Sequence, residues 1–78
     1  MYEREPDGRL IELAVLSIPE TDDWVAEIWD LSPDGGKLML VYKNGATGEL
    51  QLDLLGNKIE LEFALRWIGA ARAELRGY

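Results

Sequence analysis

Apolar residues recur along this chain in two rhythms, every second position up to about residue 54 and every third or fourth position after it. Residues 9–18 form an apolar run containing the β-branched Ile11, Val15 and Ile18, stopped by Pro19 and the polar group Glu20-Thr21-Asp22-Asp23. This predicts a strand followed by a turn. Trp24-Val25-Ala26-Glu27-Ile28-Trp29-Asp30-Leu31 predicts a second strand. Ser32-Pro33-Asp34-Gly35-Gly36 then predicts a tight turn, because proline presets φ and glycine accepts positive φ. Residues 37–43 give a third strand and Asn44-Gly45-Ala46-Thr47-Gly48 a second turn. Glu49-Leu50-Gln51-Leu52-Asp53-Leu54 alternates strictly, as a strand with one wet face does.

Residues 58–63 also alternate and fit either a fifth strand or the start of a helix. The helix is the better reading. Asn57 is a suitable cap, Glu60 three residues later can reach back to the cap backbone, and residues 64–75 are rich in helix formers. Leu61, Ala64, Leu65, Ile68, Ala71 and Leu75 then share one face. Phe63 and Trp67 lie to one side of that stripe and widen the apolar arc past what one sheet requires. The predicted architecture is α+β: a four-stranded antiparallel β-meander with one C-terminal helix packed on one face (ββββα), preceded by a flexible arm at residues 1–8.

A chain of 78 residues makes one domain, near the lower limit at which a single apolar core suffices. With 47% hydrophobic and 29% charged residues it is composed to fold. The absence of cysteine and histidine removes disulfides, thiolate zinc sites, cysteine nucleophiles and every imidazole-based triad. No cofactor or metal site is expected, since the glycine-rich phosphate loop is missing as well. The N-terminus has no apolar signal-like region and no apolar run reaches the roughly 18–20 residues of a membrane span. A cytoplasmic location is the expectation. Ile28-Trp29-Asp30-Leu31 and Ser32-Pro33-Asp34-Gly35 are similar to fragments of a WD-repeat propeller blade. A propeller needs at least four blades of about 40 residues, so the segment reads as a strand and a turn.

The net charge of −7 is unevenly distributed. No basic residue lies between Arg9 and Lys37, a stretch that carries Glu12, Glu20, Asp22, Asp23, Glu27, Asp30 and Asp34. Such a field repels nucleic acid and anionic membrane and favours a basic protein partner, or serves solubility. Glu20, Asp22, Asp23, Glu27, Asp30 and Asp34 are therefore candidate steering residues for a partner, with Trp24 and Trp29 as anchors. Phe63 and Trp67 are candidates for self-association. The corresponding functions are a small acidic protein-binding module, of the inhibitor, antitoxin or immunity type, that masks a basic site on a partner, and alternatively a structural homodimer. Catalysis by paired carboxylates would fall to Glu12, Glu27 and Asp30, and calcium to Asp22, Asp23, Asp30 and Asp34. Neither set has the spacing its chemistry requires, so no enzyme is expected.

Overall fold

The computed structural model describes residues 1–78. Five strands, β1 (Tyr2–Arg4), β2 (Leu10–Ser17), β3 (Trp24–Asp30), β4 (Gly36–Lys43) and β5 (Leu50–Asp53), precede one helix, α1 (Leu61–Leu75). Each strand pairs antiparallel with its sequence neighbour, so the sheet order is β1-β2-β3-β4-β5. The α+β class, the antiparallel meander and the C-terminal helix follow the sequence pattern; the strand count differs. Residues 1–8, expected as a flexible arm, contain β1, which pairs Tyr2, Glu3 and Arg4 with Glu12, Ile11 and Leu10. The same segment folds inward at Glu5.

On the helix side the cross-strand rows are Val15, Ala26, Val41, Leu52 and Leu13, Ile28, Met39. The core joins Leu13, Ala26, Ile28, Met39 and Val41 of these rows to Ile11 and to Phe63, Ala64, Trp67, Ala71 and Leu75 of α1, with Val15 packed against it. Ala26, Ala64 and Ala71 let the helix approach the sheet, while Phe63 and Trp67 fill the wider space beside them. The helix packs on β2, β3 and β4. It is not long and apolar enough to cross a membrane.

The start of the helix differs from the sequence reading. Glu60, not Asn57, is the N-cap, and its carboxylate accepts the Phe63 N–H at 2.6 Å. Residues 58–60 are neither strand nor helix. Asn57 instead donates to the carbonyls of Lys37 (3.3 Å) and Leu38 (2.9 Å). These carbonyls need a partner because β4 is irregular there: Ile28 pairs with Met39 but Trp29 pairs with Lys37, which makes Leu38 the extra residue of a bulge. The bulge turns Leu38 against the core and Lys37 onto the other face.

The stripe that faces the sheet also differs. Phe63 and Trp67 are each 3% exposed, whereas Leu61 and Leu65 are 66% and 54% exposed. Two overlapping stripes were available on a helix with so wide an apolar arc, and the larger aromatic surfaces occupy the core. Phe63 and Trp67 are thus not free to anchor a second chain. Trp67 is held in place from the N-terminal segment. Glu5, 5% exposed, accepts its indole N–H at 3.1 Å and the Arg66 guanidinium at 2.9 Å. At the other end of α1, Lys43 Nζ donates to the carbonyl oxygens of Leu75, in the last turn, and of Tyr78, beyond it, at 2.8 Å each.

Replacing Glu5 by alanine strands the buried Trp67 N–H and should lower stability by about 2 kcal/mol, since hydrogen bonds to charged groups are the stronger ones. Glu5→Gln, which retains an oxygen acceptor, should recover part of that loss. Urea unfolding of the two variants beside wild type measures both.

Candidate functional site

The sheet face opposite α1 has no second layer. Its cross-strand rows are Leu16, Val25, Tyr42, Gln51; Ala14, Glu27, Leu40, Asp53; and Tyr2, Glu12, Trp29, Lys37. Val25 and Leu40 are buried by their neighbours alone, Tyr42 and Trp29 are half-buried, and Leu16 is exposed. This is an apolar and aromatic floor with a carboxylate in two of the three rows.

Within it the bulge of β4 has a chemical consequence. Lys37 Nζ lies 3.2 Å from Glu27 Oε2 and 5.1 Å from the centroid of the Trp29 ring, and Trp29 Nε1 donates to Glu27 Oε1 at 3.1 Å. Glu27 and Trp29 together form a cation site by charge and by ring quadrupole, occupied by the chain's own lysine. Glu12 faces Tyr2 across the β1–β2 pair and raises the pKa of its hydroxyl, by hydrogen bonding first and by charge second.

A second group of carboxylates gathers where the β2–β3 and β4–β5 connections meet. A turn at Ile18-Pro19-Glu20-Thr21 closes with Thr21 N–H donating to the Ile18 carbonyl at 3.2 Å, and Glu20 adopts a left-handed φ of 64°. That conformation at the third turn position ordinarily belongs to glycine or asparagine. The neighbouring connection is fastened to this one by Gly45, whose N–H donates to Asp23 Oδ1 at 2.9 Å. A Cβ on Gly45 would collide with the Asp22 carbonyl oxygen, so only glycine permits the approach. Asp23 and Glu49 consequently line one cleft of about 210 Å³ with Tyr42, Lys43, Asn44, Thr47 and Gln51.

The residues singled out in the sequence therefore do not form one patch. Glu20, Asp22 and Asp23 stand at one end of the sheet; Asp30 and Asp34 stand at the other, a seven-residue strand away. Glu27 and Trp29 lie between them on the open face. Trp24 belongs to the helix side, where its ring packs 4.6 Å from that of Tyr78. Asp30 is structural, accepting the Ser32 N–H at 2.9 Å. The Ser32 hydroxyl, and then its backbone N–H, hold the Asp30 carboxyl below its ordinary pKa. No group of three or more acidic side chains has the arrangement of a metal site.

Sequence reasoning missed the apolar margin beside the helix. Leu50 and Leu52 lie on the helix side of β5, opposite Lys43 and Val41, but α1 leaves them and Leu54 uncovered. They are 37%, 48% and 38% exposed, and Leu55, Leu61 and Leu65 are exposed as well. The excess width of the apolar arc on α1 was the signal: of the stripe assigned to the core, Ala64, Ala71 and Leu75 are buried and Ile68 packs against them, while Leu61 and Leu65 stay outside. Glu5 was missed because an acidic residue in a polar N-terminal stretch carries no sign of burial. Family models, curated proteins and solved structures contain no match to this chain.

Two substitutions test these local constraints. Glu20→Gly should raise stability by about 0.5 kcal/mol, because relief of the left-handed strain exceeds the extra freedom glycine gives the unfolded chain; the denaturation midpoint reports it. Asp30→Asn should cost about 1 kcal/mol at neutral pH. A carboxyl whose folded pKa is depressed stabilises above its unfolded value and loses that contribution as pH falls through the folded one. The deficit of Asp30→Asn should therefore shrink below pH 3.8 in unfolding curves recorded across the acid range.

Proposed function

We propose that this chain is a protein-binding module that masks a basic site on a partner, as inhibitors, antitoxins and immunity proteins do, and that it acts by contact and not by catalysis. The observation that carries this reading is an uncovered sheet face bearing Leu16, Trp29 and Tyr42, with the carboxylates of Glu20, Asp22 and Asp23, which form no ion pair within the chain, at one end of it. The ion pairs of the chain use Asp7, Glu27 and Glu5. Glu20, Asp22 and Asp23 are left to act on a partner. Exposed carboxylates of this kind raise the rate of encounter with a Lys/Arg-rich surface, and half-buried aromatics supply contact area once the two have met.

The Glu27–Trp29 pair adds a specific point of recognition. Lys37 lies where a partner's lysine or arginine would bind, so a basic side chain would displace it and gain the same carboxylate and ring. Glu27 is then an exchange site, while the unpaired Glu20, Asp22 and Asp23 carry the long-range steering. Nucleic acid and anionic membranes are poor partners for such a field.

A second reading, a structural homodimer whose charge serves solubility, is favoured by a different observation, the uncovered leucines of β5 and α1.

The first reading is tested with immobilised wild type and the Glu20→Lys/Asp22→Lys double variant. Wild type should retain a basic protein that salt releases, and the double variant should bind it more slowly with a flatter salt dependence. Equal retention by the two chains removes the acidic end as the site.

A further inference from the structure

We propose that two copies of this chain join through the free edge of β5, antiparallel about a two-fold axis at Leu52, into one ten-stranded sheet with both helices on the same face. This inference stands on a different surface from the one proposed for a basic partner and does not depend on it.

The backbone sets the geometry. β5 is the last strand of the sheet. Asn44 N–H donates to the Glu49 carbonyl at 2.9 Å, in the register that pairs Tyr42 with Gln51 and Leu40 with Asp53. Antiparallel ladders alternate between hydrogen-bonded and non-hydrogen-bonded pairs, so Gln51 and Asp53 turn their peptide groups to β4. Leu50 and Leu52 turn theirs to the open edge. Free edges are commonly blunted by brevity, lysine, proline or a bulge. The opposite edge, β1, is three residues long with Glu3 and Arg4 in it; β5, also short at four residues, has neither lysine, proline nor bulge.

The side chains are matched to a second copy in particular. Residues 50–54 read Leu-Gln-Leu-Asp-Leu, a pattern symmetric about Leu52. An antiparallel copy centred there sets Leu52 opposite Leu52, Leu50 opposite Leu54 of the second copy, and Gln51 opposite Asp53 of the second copy. Leucine meets leucine on the helix side, and an amide donor meets a carboxylate on the other. No like charges are set directly opposite, which would destabilise the pair.

Leu61 and Leu65 share a helical stripe with Arg72, which lines a cleft with Leu50, so this flank of α1 is turned to the β5 side. Leu50, Leu52, Leu54, Leu55, Leu61 and Leu65 are between 37% and 66% exposed. Together they present on the order of 500 Å² of apolar surface, at the upper end for the largest patch of a monomer. With the edge backbone and the flanking polar groups, this approaches the roughly 800 Å² that each partner loses in a standard interface. Leu55 is held at φ 56°, a conformation bulky side chains avoid, yet it is apolar and open to solvent.

The charges agree with the two-fold. A cleft of about 550 Å³ between β5 and the end of α1 is lined by Lys43, Gly48, Leu50, Arg72, Leu75 and Arg76. Glu60 and Glu62 lie at the start of the helix. A two-fold axis at Leu52 sets the two helices antiparallel, so the basic end of one lies on the same side as the acidic start of the other and no like-charged ends face each other.

Light scattering during size exclusion should give wild type twice the 8.8 kDa chain mass. Leu52→Lys and Leu65→Glu, made separately at exposed positions, should each halve it while the circular dichroism spectrum is kept. Because the chain has no cysteine, Leu52→Cys should form an intermolecular disulfide on mild oxidation, and Leu16→Cys, on the open face, should not. The cross-link alone decides the matter if a charged variant fails to fold. A monomeric wild type, a dimer that survives both charged variants, or a cross-link at Leu16→Cys instead of Leu52→Cys overturns the proposal. The Glu20→Lys/Asp22→Lys chain should remain a dimer, which separates failure of the partner-binding reading from failure of this one.

Discussion

A helix is about 10–12 Å across with its side chains, while five strands about 4.8 Å apart span roughly 19 Å. One helix therefore cannot shelter the whole of one sheet face, and its position decides which margin is left bare. Here α1 sits over β2, β3 and β4. On the β1 side its flank is held by Glu5, whose carboxylate accepts from both Arg66 and the Trp67 indole. Arg9 adds to the same side, its guanidinium 4.6 Å from the centre of the Phe63 ring. The bare margin of leucines along β5 is the direct result of that placement.

The same constraint explains the division of the molecule into two kinds of surface. On the helix side, β5 and the flank of α1 offer leucines with few charges among them. On the other side, no layer covers the sheet, and its centre is closed by its own side chains packed across the strands. Val25 and Leu40 are buried there without a second layer because Tyr42, Trp29 and the stem of Lys37 lie across the strands around them. The bulge at Leu38 is essential to this arrangement, since regular pairing would leave Lys37 on the helix side and Leu38 in its place. Asn57 stabilises the bulge by accepting neither strand nor helix geometry itself and bonding both carbonyls.

Much of the fold was legible in the sequence because strand alternation and turn chemistry are local. β2 to β5 and the helix lie close to where periodicity sets them, bounded by Pro19, Ser32-Pro33 and Asn44-Gly45. What was not legible depended on partners distant in the chain. Tyr2–Arg4 has no apolar alternation and becomes a strand only because β2 offers an edge. Leu61/Leu65 and Phe63/Trp67 are equivalent as helical stripes, and only the depth of the space above β2 to β4 distinguishes them. Of the candidate site residues, the acidic loop at Glu20, Asp22 and Asp23 was readable as charge. Its partner Glu49, brought close by the contact of Gly45 with Asp22 and Asp23, was not.

Strict neighbour-to-neighbour pairing also governs how the chain loses its freedom on folding. The connections between β2 and β5 are only five or six residues long, and the entropy of closing a loop grows slowly with the logarithm of its length. Each hairpin can therefore form with little loss beyond that of its own turn. The exception is the meeting of Glu5 with Arg66 and Trp67, separated by 61 and 62 residues. Almost the whole chain is enclosed by that contact, so the longest loop in the molecule is closed by one carboxylate.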